Sequence, residues 1–139
     1  PTETKTDFDK LNTFSTKITG SKVAIIGVGA FYNLGLKVHE KLKDKGINAT
    51  LINPRFVSGI DTKLLDTLKQ NHSLVITLED GVLDGGFGQK IASFYGNSSM
   101  KVLNYGAQKE FTDRIPTAKL FKNNRLLPEQ IVEDIAKFL

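Results

Sequence analysis

The sequence predicts an α/β domain of three layers, α/β/α, in which helices cover both faces of a mostly parallel, mixed sheet of about five strands. Strand-like runs begin near residues 23, 49, 74 and 101, with helical patterns between them. That alternation is the mark of a parallel sheet with helices on both faces. The first run, Val23-Ala24-Ile25-Ile26-Gly27-Val28, is continuously apolar, which suits a strand covered on both sides. A fifth, shorter candidate strand, Thr16-Lys17-Ile18-Thr19, precedes it closely through Gly20 and Ser21. Such close spacing favours an antiparallel hairpin, which makes the sheet mixed.

Residues 1–15 are rich in Thr, Lys and Asp, with isolated Phe8, Leu11 and Phe14. They are expected to form a linker pinned down by its apolar residues, with the domain proper over 16–139. A helix is expected from about Phe31, carrying Phe31, Leu34, Val38 and Leu42 at helical spacing. Lys43, Lys45 and then Gly46 supply its stop signals. Ala49 to Asn53 is the next strand. Asp61 is the expected N-cap of a helix carrying Leu64, Leu65 and Leu68, a cap that contributes about 1 kcal/mol. Leu74 to Leu78 is a strand, and Gly85-Gly86-Phe87-Gly88 leads into a helix with Ile91 and Phe94. Lys101 to Tyr105 is the last strand. The final helix opens at Pro128, a residue suited to a first turn, and carries Ile131, Ile135 and Phe138. Residues 106–127 mix Gly106, Pro116, Asn123 and Asn124 with Phe111, Ile115, Leu120 and Phe121, and no element is assigned there.

Composition bounds the function. The chain has 139 residues, 40% hydrophobic and 24% charged, as expected of one soluble domain. No apolar run approaches the ~20 residues that span a bilayer, and the polar start lacks the apolar core of a signal peptide. The chain opens at Pro1 rather than Met, so further sequence is expected upstream. Cysteine is absent and His39 and His72 are the two histidines, which excludes disulfides, thiolate sites and a histidine-rich zinc site. A cytoplasmic location is the expectation that fits. The net charge of +4 comes from 19 bases interleaved with 15 acids. Nucleic-acid binding needs bases gathered on one face, so neither nucleic acid nor membrane is an expected partner.

Ligands of open α/β sheets gather at the carboxyl ends of the strands. After the first apolar run stands Gly27-Val28-Gly29-Ala30-Phe31-Tyr32. A dinucleotide fingerprint requires glycine where Tyr32 stands, and an acid where Asn53-Pro54 follows the next strand. Gly27 and Gly29 are therefore assigned to a tight strand-to-helix turn. Arg55 follows the second run and can hold a phosphate or carboxylate in its planar fork, or serve as an interface residue. After the third run come Glu79, Asp80 and Asp84. They suit a hard-metal site, or the turn and cap chemistry that a helix start favours. The glycines at 85, 86 and 88 let backbone N–H groups reach an anion, or let another chain come close. No phosphate-loop Gly-Lys-Ser/Thr follows, since Gly88-Gln89-Lys90 stands there. Phe87 among glycines suggests a contact surface. His72 is expected in a turn at the wrong end of the sheet for chemistry, and His39 on the polar side of its helix. No Gly-x-Ser-x-Gly elbow exists, and no catalytic set emerges.

Several segments together resemble the carboxy-terminal domain of 1-deoxy-D-xylulose-5-phosphate synthases, members of the transketolase family. They are Asp7 to Asn12, Val23 to Gly29, Asn53-Pro54-Arg55-Phe56-Val57, Leu78-Glu79-Asp80-Gly81 and Gly85-Gly86-Phe87-Gly88. Tyr105 to Ala107, Lys109 to Phe111 and Leu127 to Ile131 also fit. The strand ending in Glu79 followed by the glycine run also resembles transketolases proper and the β subunits of 2-oxoacid dehydrogenases. Residues 116–125 depart from the commoner synthase ending.

The resemblance implies a transketolase C-terminal-domain-like sheet with one antiparallel strand. It implies a homodimeric parent enzyme that uses thiamine diphosphate and magnesium to condense pyruvate with glyceraldehyde 3-phosphate, releasing carbon dioxide, for isoprenoid, thiamine and pyridoxal synthesis. In that family the cofactor, metal and activating glutamate belong to the preceding domains. The Gly-Asp-Gly and Asn metal signature is absent from this chain, so no cofactor, metal or catalytic residue is assigned to it. The expected role is structural, packing on the preceding domains of the same polypeptide and holding the dimer. Arg55, Glu79, Asp80, Gly85, Gly86, Phe87 and Gly88 are the candidate contacts, with Phe87→Ala expected to cost interface energy. The alternatives are a dehydrogenase β-subunit or transketolase domain, and a free-standing anion-binding module using the Gly85–Gly88 helix start.

Overall fold

Apolar runs with no polar face to turn outward become the inner strands of a single sheet. The computed structural model describes residues 14–54, 60–79, 87–106 and 126–139. Its strands are β1 (Ser15–Ile18), β2 (Lys22–Gly27), β3 (Thr50–Asn53), β4 (His72–Glu79) and β5 (Lys101–Gly106), in the spatial order β1-β3-β2-β4-β5. β2 pairs in parallel with β3 and β4, and β4 in parallel with β5. β1 pairs antiparallel with β3, with Ser15 opposite Asn53 and Ile18 opposite Leu51. The expected hairpin between β1 and β2 is therefore not formed. Both sides of β2 are occupied by parallel neighbours, and β1 takes the outer edge of β3 instead. Gly20 makes the passage possible: its N–H donates to Thr50 Oγ1 at 2.9 Å, and a Cβ there would lie 2.0 Å from the Asn48 carbonyl oxygen.

Helices α1 (Tyr32–Asp44), α2 (Thr62–Leu68), α3 (Phe87–Phe94) and α4 (Pro128–Ala136) complete the described residues. A 3₁₀ turn over Gly29–Phe31 precedes α1. Gly27 and Gly29 do make a tight turn: a Cβ on Gly27 would meet Tyr32 Cα at 2.8 Å, and Gly29 has φ +58°. α1 ends as its sequence predicts. Gly46 takes φ +83°, its N–H donates to the Lys43 carbonyl, and Ile47 N–H reaches back to the Leu42 carbonyl. This is a Schellman stop. Asp61 caps α2, its Oδ1 accepting from Leu64 N–H at 3.1 Å. At α4, Gln130 Oε1 accepts from Leu127 N–H at 3.2 Å. Phe138, expected on the buried face of that helix, lies beyond its end and is exposed.

Alternate residues of each strand feed two cores. One holds Val23, Ile25, Leu51, Ile76 and Leu78 beneath α1 and α4, joined by Tyr105 and Leu126. The other holds Ala24, Ile26, Ile52 and Val75 beneath α2 and α3, joined by Phe14, Phe87, Tyr95 and Met100. Gly35 lets α1 settle close to the sheet, its position lying 3.2 Å from Ile25 Cγ2 for an added Cβ. The close fit also draws in His39, one turn on. It is only 6% exposed, not on the polar side, and its Nε2 has no hydrogen-bond partner among the described residues.

Candidate functional site at the carboxyl edge of the sheet

The helix after β2 covers one face and those after β3 and β4 cover the other, so the direction of winding reverses between β2 and β4. Open α/β sheets bind their partners at such a reversal, outside the carboxyl ends. Here that position is Gly27-Val28 beside Leu78-Glu79, joined where Val28 N–H donates to the Leu78 carbonyl at 2.8 Å.

β4 sends Leu74, Ile76 and Leu78 into the first core, so Val75, Thr77 and Glu79 face α2 and α3. Glu79 is 5% exposed. Its Oε2 accepts from Phe87 N–H and its Oε1 from Gly88 N–H, each at 3.2 Å. These are the first two residues of α3, whose amides have no acceptor within the helix. A carboxylate between them is stabilised by both bonds and by the helix dipole.

Thr77, fully buried one step back along β4, donates its hydroxyl to Asn104 Oδ1 at 2.6 Å. Gly88 packs against this pair: a Cβ there would lie 2.7 Å from Asn104 Oδ1 and 2.8 Å from Thr77 Oγ1. Its missing side chain makes room for the domain's own polar pair.

The structure thus brings together Glu79, Phe87 and Gly88 among the candidate contacts. Arg55, Asp80, Gly85 and Gly86 lie outside the described residues, as does Asp84. The Phe87 side chain is not an outward contact: it is 2% exposed, its ring 5.8 Å from that of Phe14 at an angle of 53°. The expectation of a contact surface arose because an aromatic among glycines reads as exposed, whereas α3 turns this one inward. The sequence signal that could have found Thr77 is the period of two in β4, which puts a hydroxyl and a carboxylate on a face otherwise apolar. Asn104 and the Phe14 contact carry no local signal.

No group of three or more His, Cys, Asp or Glu that could hold a metal ion occurs among the described residues. None of their helices is long and apolar enough to cross a membrane. At the opposite edge, His72 is the first residue of β4 rather than part of a turn. Its Nε2 lies 2.7 Å from Thr50 Oγ1 and its Nδ1 3.1 Å from the Leu68 carbonyl. Burial lowers its pKa below 6.5, while the bond to Leu68 acts in the opposite direction. With Nδ1–H donating to Leu68, neutral Nε2 can accept from the Thr50 hydroxyl. This is a structural tie joining α2, β3 and β4.

Comparison with known proteins places this geometry. The family model for the transketolase C-terminal domain matches residues 14–131. A 1-deoxy-D-xylulose-5-phosphate synthase of Clostridium tetani is 35% identical over 120 residues, covering 85% of this chain and 19% of that protein. Another, from Carboxydothermus hydrogenoformans, is 40% identical over 94 residues, covering 66% of this chain and 15% of that protein. The chain thus spans less than a fifth of the length of these curated relatives, by the 19% and 15% covered. In three dimensions, an inactive β4 tetramer of a split-gene transketolase matches with a TM-score of 0.79 at 23% identity, over 90% of this chain and 41% of that one.

Proposed function

Because the chain belongs to the transketolase C-terminal domain family, we propose that it is the carboxy-terminal domain of a 1-deoxy-D-xylulose-5-phosphate synthase, with a structural role in that enzyme. The parent reaction would join pyruvate and glyceraldehyde 3-phosphate with loss of carbon dioxide. Thiamine diphosphate and magnesium would supply that chemistry in the preceding domains. The described residues offer no donor set that fits the metal, and no step is assigned to them. The domain alone is expected to be inactive. Its task is to hold the preceding domains of the polypeptide and a second copy of the enzyme, in the cytoplasm.

The observation that supports this role is where the chain enters the fold. β1 runs antiparallel, so Ser15 sits beside Asn53 at the carboxyl end of β3. Whatever precedes Phe14 therefore reaches the domain at the same edge that carries Glu79 and the start of α3. In the sequence, Arg55 and Asp80 follow shortly after strands that end at this edge, and Gly85 and Gly86 precede the helix that starts there, which supports reading it as the interdomain face. Glu79 and Gly88 hold that face in shape, and Phe87 supports it from within. The alternative of an anion-binding module is disfavoured by Glu79 itself: an incoming anion would have to displace a carboxylate already bound to the first two α3 amides.

The test is synthase activity of the amino-terminal portion of the same protein, with and without this chain added. Activity that requires the mixture supports the role. If light scattering shows the pieces associate and no synthase activity follows, the parent reaction is wrong.

A further inference from the structure

The start of the described chain is tied to the carboxyl edge by more than strand pairing. Phe14 lies just outside β1, yet it is only 6% exposed. Its N–H donates to Asp61 Oδ2 at 3.0 Å, while Oδ1 of the same carboxylate caps α2 through Leu64 N–H. Its ring meets the ring of Phe87 at a centroid distance of 5.8 Å, within the range of attractive aromatic pairs. Phe87 in turn carries one of the two amides that Glu79 holds. Ring and amide belong to one residue, so seating the ring against Phe14 also orients the amide toward Glu79.

We propose that Phe14 and Asp61 form a clamp through which the segment preceding the domain sets the start of α3 and the carboxylate of Glu79. With Phe14 seated, Phe87 is held from one side by an aromatic ring and from the other by Glu79. With Phe14 drawn away, Phe87 keeps the Glu79 bond and its other core neighbours but loses the facing ring, and the start of α3 loosens while the sheet persists. Such coupling is reciprocal. A partner that moves α3 at the carboxyl edge must also change how firmly the preceding segment is seated. Phe14 and Asp61 are positioning residues. The biological meaning of the clamp rests on the interdomain reading of this edge, but its physical test does not.

The test is amide hydrogen exchange on the full chain, followed residue by residue by NMR. Phe87 and Gly88 open α3 and have no intrahelical acceptor, so their protection reports the Glu79 contact. Phe14→Ala should speed exchange at both by roughly tenfold, the order expected for losing an aromatic pair. Ile25 and Ile76, in the paired centre of the sheet, should speed no more than the loss of global stability in the same variant requires. Asp61→Asn, which leaves one oxygen to serve two donors, should give a smaller rise at the same two amides. Ile135→Val, a trim in the opposite core, should give no selective rise there. Unchanged exchange at Phe87 and Gly88 in Phe14→Ala overturns the clamp, and so does a rise shared evenly with the sheet. Should Phe14→Ala not fold, Phe14→Leu keeps the bulk, removes the ring and is judged by the same selectivity. A failed synthase assay would leave this outcome standing, and a failed exchange test would leave the synthase question standing.

Discussion

Gly88→Ala tests whether the start of α3 is shaped by the domain's own packing. The added methyl would lie 2.7 Å from Asn104 Oδ1 and 2.8 Å from both Asn104 Cγ and Thr77 Oγ1, against about 3.5 Å or more for an unstrained carbon contact. Neither neighbour retreats freely, because Thr77 is fully buried and its hydroxyl is bonded to Asn104 at 2.6 Å. Overpacking of this kind costs about 1–3 kcal/mol, and breaking the Thr77–Asn104 bond about 1 kcal/mol more. Alanine recovers up to about 1 kcal/mol over glycine in a helix. The net expectation is a loss of about 2 kcal/mol, read as a urea midpoint lower by about 1 M at a typical m of about 2 kcal/mol/M. A background of Thr77→Ala with Asn104→Ala removes both obstructing groups together. There Gly88→Ala should be neutral or stabilising. A penalty of equal size in both backgrounds would refute the steric argument, and so would a Gly88→Ala chain as stable as the parent.

Four further outcomes are expected. Phe87→Ala should destabilise the isolated chain by about 3–5 kcal/mol in urea unfolding, as a core truncation does; a change confined to dimer assembly of the parent enzyme would contradict its inward placement. Gly46→Ala should cost about 1 kcal/mol, because φ is +83° there, with nothing within 4 Å to add a clash; Gly46→Asn should cost less, and thermal melts compare the two. The pKa of His72 is lower in the folded chain than its usual 6.5, so the unfolded chain takes up the proton first. Its contribution is complete above pH 6.5 and declines as pH falls through 6.5 toward the folded value; His72→Gln should flatten that part of the stability profile. Tyr95→Phe should cost about 1–2 kcal/mol, since the hydroxyl donates to the buried Leu65 carbonyl at 2.6 Å; an unchanged urea midpoint would remove that bond from the account.

Much of this fold is legible from local chemistry. The inner strands declare themselves by unbroken apolar runs, and α1 and α2 by Leu34, Val38, Leu42, Leu65 and Leu68, all buried as their spacing requires. Asp61 begins a helix through its own carboxylate, and Gly46 ends one because, with no Cβ, it takes a positive φ freely. What local chemistry could not supply is partner choice. The partner of β1 depends on which sides of β2 and β3 other strands have taken, a matter settled by residues far along the chain. His39 escaped for a related reason, since its burial follows from how closely Gly35 lets α1 approach the sheet. At the carboxyl edge, Glu79 and the glycine at 88 were visible, but their partners were not. Glu79 meets amides eight and nine residues on, and Gly88 makes room for Thr77 and Asn104.

The two cores on opposite faces of the sheet also set an order of events for a chain emerging from the ribosome. Among the described residues, every buried member of the core beneath α2 and α3 falls within 14–100. The core beneath α1 and α4 needs Leu126, Ile131, Val132 and Ile135 as well. One face can therefore close while the last quarter of the domain is still being made, whereas α1, synthesised early, must wait for α4 to cover it. During that interval Val38 and Leu42 lack their final cover, the kind of transient apolar exposure that invites misassembly. Slower translation through the final stretch would lengthen that interval.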